Sequence, residues 1–215
     1  MNTGKFPPPK QRGLLIHGII LFVLIVVVTI GFIQLTSADV GPAFLIWLLV
    51  SLAAFAPIPF FGYRIFALYR AEYEIDRDSL SISWGLRVED IPLSDIEWIR
   101  PADDLTNPLS LPALPLPGAL LGMRRHSDLG AVEFIAADPK KLLLVATAKR
   151  VFVISPDNPA GLAQTFARAT EMGSLAPTEA KSVYPSFIVS QAWESGMARY
   201  LWLSALFLNI GLFGM

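Results

Sequence analysis

The sequence predicts an α+β membrane protein: transmembrane helices around a seven-stranded antiparallel β-barrel or sandwich, closed by a C-terminal α-helix. Three observations carry this. Three long runs lack charge and are almost wholly apolar. The stretch between the second and third runs shows period-two alternation broken by turn residues. One segment near its end repeats apolar residues at helical spacing. Composition agrees, since only 16% of the 215 residues are charged and 53% are apolar. Soluble chains carry about 25% charged residues, so part of this chain is built for lipid.

Gly13 to Ala38 holds no charged residue, and Ile19 to Ile33 is nearly unbroken Ile, Leu, Val and Phe. About 20 apolar residues cross a hydrocarbon core, so residues 13–36 read as the first spanning helix. A secretory apolar region is about 7–15 residues long, so this one reads as a membrane anchor and not a cleaved leader. Residues 42–63 form the second span, with Pro57 and Pro59 set to kink or stop it. The short connection around Asp39 makes the two a hairpin. Residues 197–215 read as a third span, with Arg199 reaching back to the interface. Lys5, Lys10, Arg12, Arg64, Arg70 and Arg199 flank these spans on one side, and the hairpin loop carries only Asp39. The positive-inside bias therefore predicts a multi-pass protein of the cell (inner) membrane. The N-terminal tail (1–12) and middle region lie in the cytoplasm and the C-terminus outside. His17, inside the first span near its cytoplasmic end, reads as a neutral imidazole at the interface or bonded to the neighbouring helix.

In the middle region, residues 71–76, 79–84, 87–92 and 95–100 read as four strands, and 131–136, 141–147 and 150–154 as three more. Leu80, Ile82 and Trp84 alternate with Ser79, Ser81 and Ser83. Glu72, Glu74, Asp76 and Asp78 read as a solvated strand face. Asp157 or Asn158 caps a helix with Pro159 in its first turn, and Leu162, Phe166 and Ala169 form its apolar stripe. Residues 174–196 read as a linker, broken by Pro177 and Pro185, with an interfacial segment around Trp193.

Seven strands and a C-terminal helix form the layout of the pleckstrin-homology (PH) fold. The strings Tyr73-Glu-Ile-Asp, Leu80-Ser-Ile-Ser-Trp-Gly and Ile91-Pro-Leu-Ser-Asp-Ile resemble the opening of bacterial PH-like domains. Ile154-Ser-Pro-Asp-Asn-Pro resembles the lead into their final helix. The resemblance covers residues 64–173 and implies the fold. It implies little about function, because that family is largely uncharacterised. The phosphoinositide recognition of eukaryotic PH domains uses basic residues after the first strand. Here that turn is Asp76-Arg77-Asp78-Ser79, so the property is not carried over.

Residues 71–197 hold 11 Lys and Arg against 17 Asp and Glu, a net of −6, which disfavours nucleic acid. The chain has no cysteine and only His17 and His126, so disulfides, thiol chemistry and His-rich metal sites are excluded within one chain. The sequence has no P-loop, dinucleotide fingerprint, zincin or nucleophile-elbow motif. Ser155 and His126 could be named as nucleophile and base, but nothing in the sequence places them together. The expectation is a non-enzymatic protein with no metal or cofactor.

Residues 105–123 are uncharged and rich in Leu and Pro, and Arg124, Arg125 and His126 follow at once. One reading is a loop packed on the barrel. The other is a loop that enters the bilayer or docks a partner through Leu114, Leu116, Leu120, Leu121, Arg124, Arg125 and His126. The functional expectation is a membrane-proximal scaffold or regulatory module that binds a membrane-protein or peptide partner, with strand addition as a physical route. The alternative is a lipid-sensing module built on that loop and its arginine pair. Self-association into a homo-oligomer is compatible with the sequence.

Overall fold

A computed structural model describes residues 4–112, 115–173 and 179–183. The expected third span (197–215), Leu114 and most of the linker lie outside the described residues.

Helix α1 (Gln11–Ser37) is apolar on every side, and side chains such as Phe22 and Phe32 are two-thirds exposed. Helix α2 (Pro42–Phe55) returns beside it, and α3 (Ile58–Tyr69) continues from α2 after a break at Pro57. The break follows from proline, which lacks an amide hydrogen and crowds the preceding turn. Gln11–Ser37 and Pro42–Tyr69 are each long and apolar enough to cross a membrane. The hairpin is tight because Gly31 packs directly on Ser51. Helical structure continues through Arg64 to Tyr69, and the next strand starts at Glu72.

The β region is two five-stranded sheets and not a single seven-stranded barrel. The first contains β1 (Gly4–Phe6), β2 (Glu72–Ile75), β3 (Ser79–Trp84), β4 (Arg87–Pro92) and β10 (Lys181–Val183), in the order β1-β2-β3-β4-β10. The second contains β5 (Ile96–Pro101), β6 (Leu120–His126), β7 (Gly130–Ala136), β8 (Leu143–Thr147) and β9 (Val151–Ile154), in the order β5-β8-β9-β7-β6. Three strands go beyond the sequence expectation: β1 in the tail, β6 in the stretch expected to be irregular, and β10 in the linker. The purely antiparallel expectation also needs correction. β9 inserts between β8 and β7 and runs parallel to β7, pairing Val132 with Val151 and Ile135 with Ile154. Both of these strands are buried on both faces, as parallel neighbours usually are.

The inner faces enclose Tyr73, Ile75, Leu80, Ile82, Trp84, Ile135, Leu143, Val145, Phe152 and Ile154. Tyr73 is fully buried. Its hydroxyl donates to the Ile135 carbonyl at 2.8 Å and accepts from the Ser155 amide at 3.4 Å. Burial pushes its phenol well above the usual tyrosine range, so it stays a neutral hydrogen-bonding group. The outer face of the second sheet has its own apolar layer, Val132, Phe134, Leu144 and Val153, covered by Trp98, Leu105 and Leu109. Helix α4 (Pro159–Met172) is capped by Asn158, whose Oδ1 accepts from the Gly161 amide at 3.0 Å, and it buries Leu162 in the inner core.

The hairpin and the β region share this core. Ala67 and Leu68 of α3 are buried in it, and Phe6 and Leu14 pack against it. A Cβ on Gly13 of α1 would lie 2.5 Å from the Gly118 Cα and 2.6 Å from Leu68 Cδ2. Gly85, in the β3–β4 turn with φ of 65°, abuts Ala67. Lys10 Nζ donates to the Tyr69 carbonyl at 2.8 Å, and the Asp157 amide to the Pro7 carbonyl at 2.9 Å. The N-terminal tail thus contributes a strand and a strut. Lys5 holds it by ion pairs to Glu72 at 3.3 Å and Glu74 at 3.8 Å, on the face expected to be merely solvated.

Candidate functional site

Strand parity sets the chemistry of the domain's polar site. On β4, Arg87 and Glu89 share the inward face with Ile91. On β7, Glu133 shares it with Ile135, and Arg150 precedes β9 in phase with Phe152. Four charges therefore converge at one end of the inner core. Arg87 Nη2 meets Glu89 Oε1 at 2.6 Å, and its Nη1 meets Glu133 Oε1 at 2.9 Å. Arg150 Nη1 meets Glu133 Oε2 at 2.7 Å, and its Nη2 approaches Glu89 Oε2 at 3.5 Å. The result is a closed ring of two arginines and two carboxylates joining the two sheets. Glu89 and Glu133 are almost entirely buried. Burial acts to lower the Arg87 pKa, but hydrogen bonds and charge from Glu133 and Glu89 outweigh it and hold it above its ordinary value. The ring bridges polar groups where apolar side chains would otherwise close the sandwich.

A groove of about 540 Å³ opens beside this ring. Ile91 and Phe152 give it apolar surface, Asp90, Asp95 and Glu97 an acidic lip, and Lys149 and Lys181 basic corners. The Ser182 hydroxyl bonds to Glu89 Oε2. Among the described residues, the outer edge of β4 pairs with β10, whose Lys181 and Ser182 are exposed.

The other sheet edges are those of β1, β5 and β6. β1 is pinned by Lys5. β5 has a register shift between Ile96 and Trp98 and ends in Pro101. β6 carries Arg124 and Arg125.

The residues singled out in the sequence do not form one patch. Leu120 is fully buried, which removes it from any lipid-contacting set. Leu121 packs against the inner core, and Leu116 is half-buried in a bridge to Ala119. Adjacent strand residues point to opposite faces, so Arg124 and Arg125 diverge. Arg124 Nε donates to the Leu111 carbonyl at 3.2 Å. His126 Nδ1 accepts from the Asp128 amide at 3.2 Å, so its proton sits on Nε2, which donates to the Asn107 carbonyl at 3.2 Å. The Asp128 carboxyl accepts from Asn107 Nδ2, which holds it below the usual carboxylate range. Ser155 Oγ is buried and accepts from the Ala137 and Asp138 amides at 2.7 and 3.2 Å, pinning β9 to the end of β7. Ser155 and His126 each serve a local backbone, and no described contact joins them.

The charge ring and the β4 groove escaped the motif reading. The available signal was parity: Arg87 and Glu89 stand at core-facing positions of a clearly alternating strand pair.

No curated protein and no solved structure matches the chain. Residues 71–170 match the family described as Bacterial PH domain. Sheets, capping helix and family match agree that the chain carries a bacterial PH-like domain, packed onto the foot of an apolar helical hairpin.

Proposed function

We propose that this is a non-enzymatic, multi-pass protein of the cell membrane whose cytoplasmic PH-like domain docks an extended segment of a protein partner along the outer edge of β4. The observation that carries this is the groove of about 540 Å³ beside the β4 edge, an edge that already accepts an added strand of this chain, Lys181–Val183. An incoming strand would gain backbone hydrogen bonds from the edge and specificity from the groove. Lys181 and Ser182 show a fitting chemistry, a hydroxyl on Glu89 and a basic group at the acidic lip. A non-enzymatic role is supported by the ring itself, in which the buried carboxylates are engaged by arginines. The cytoplasmic placement rests on the basic residues at the hairpin's foot against Asp39 at its tip.

Purification of the full chain from its own membrane, followed by native mass spectrometry, should show a stoichiometric protein companion. A lone chain would count against the proposal. The loop-based lipid reading is weaker, because Leu120 and Leu121 turn into the core and the arginines diverge. Arg124→Glu with Arg125→Glu is accordingly expected to leave both companion and membrane retention unchanged. Loss of membrane retention in the double variant would restore the loop to the centre.

A further inference from the structure

Among the described strands, β10 differs from the others in what holds it. Each of the others places an apolar side chain in or against a core, and even β1 packs Phe6 there. β10 places none, for Lys181, Ser182 and Val183 are all exposed. Its side-chain hold on the sheet is the Ser182 hydroxyl on Glu89 Oε2. Glu89 does not depend on that hydroxyl, because Arg87 meets it at 2.6 Å and Arg150 at 3.5 Å. Departure of β10 therefore opens no cavity and strands no buried charge. What it gives up is backbone pairing along the β4 edge. Segments held in this way belong to the low-stability end of a structure.

The groove beside β10 carries charge that the described residues leave unanswered. Outside the ring its lining holds Asp90, Asp95 and Glu97 against Lys149 and Lys181. Among the described residues, none of these five groups is in an ion pair. With β10 gone, three carboxylates face one lysine. A lip of that sign concentrates cations, while Ile91 and Phe152 offer apolar surface to the intervening side chains of a strand.

We infer that β10 is a removable occupant of the β4 edge, and that the partner strand which replaces it is basic, with Lys or Arg facing Asp90, Asp95 and Glu97. The chain's own Lys181–Val183 then competes with the partner for one edge. Only the fraction of molecules with β10 released can bind, and the partner's apparent affinity falls by that fraction. The inference rests on the docking reading above, and the experiment separates their failures.

A photoreactive amino acid is placed at Ser94, on the groove, in the full chain in its own membrane. The same chain is prepared with Ser182→Pro. Proline gives no amide hydrogen to a ladder, so this change weakens the pairing of β10. The partner adduct is expected to rise at least about threefold. In detergent, the thermal midpoint of Ser182→Pro should stay within about 2 °C of the parent's, since β10 holds no core residue. Asp95→Asn with Glu97→Gln, added to Ser182→Pro, should cut the adduct to about a third or less. The linked partner peptide, read by mass spectrometry, should carry Lys or Arg beside the link.

Absence of a protein adduct from both chains would contradict the docking reading, and the inference would fall with it. An adduct from the parent that Ser182→Pro leaves unchanged would overturn the removable occupant alone. A midpoint lower by about 5 °C or more would do the same, because β10 would then be part of the stable fold. An adduct that keeps its full yield with the neutral lip would overturn the basic partner. So would an adduct of twice the chain's mass, which would make the incoming strand that of a second copy.

Discussion

Glu133→Ala is expected to lower the unfolding free energy by about 3–5 kcal/mol, because it strips a carboxylate from a nearly buried ion ring and leaves cations behind. Arg87 and Arg150 each lose their partner on β7, and their side chains are only 15% and 25% exposed. Water can therefore replace little of the lost interaction. A second change, Arg150→Ala, restores the balance of charge, with Arg87 still paired to Glu89. The double variant should thus be less unstable than the sum of the two single ones. Denaturant unfolding of the full chain in detergent, monitored by tryptophan fluorescence, reads both values. Additive losses would mean that the four groups do not act as a ring. The energetic worth of such a ring lies mostly in its completeness, since a well-packed apolar replacement of all four could be close to neutral.

Gly118→Ala should cost about 2–4 kcal/mol, combining left-handed strain with overpacking. Gly118 has φ of 85°, and an added Cβ would lie 2.5 Å from the Gly13 Cα and 2.8 Å from Leu68 Cδ2. Neither the α1 backbone nor a buried leucine can yield easily. The Gly118 amide also donates to the Ala137 carbonyl at 2.7 Å, so the loop cannot swing away without breaking β-region structure. Circular dichroism melts should show the loss. A small effect would mean that hairpin and domain are joined loosely.

Helices α1 to α3 were legible because they are long and apolar all round, a signal that needs no partner to interpret. Strands β2, β3 and β4 were legible for a related reason. Each has one face in the core and one outside, so Leu80, Ile82 and Trp84 alternate with serines. The Asn158 cap and the Leu162 stripe of α4 are local chemistry of the same kind. What escaped depends on distant partners. Gly4–Phe6 is too short to carry a period and is a strand only because β2 offers an edge. Leu120–His126 carries Gly122 and adjacent arginines, so its alternation is hidden, yet it pairs along its full length with β7. The parallel β7–β9 pair could not be read, because β7 and β8 looked like a simple hairpin around Asp138-Pro139. The leucine–proline loop was legible as apolar but not as to what it covers. Leu105 and Leu109 found the outer face of the second sheet. The charge ring was the costliest omission, because its members lie on separate strands and meet only in the fold.

The account stands or falls on the β4 edge. The chain lacks cysteine, so a photoreactive amino acid or a unique label can be placed without background. The decisive measurement is photo-crosslinking of the full chain in its own membrane, with the photoreactive residue at Asp90 on the groove or at Arg125 on the opposite sheet's edge. The account predicts one discrete protein adduct from Asp90 and none from Arg125. A protein adduct from Arg125, with Asp90 silent, would contradict it.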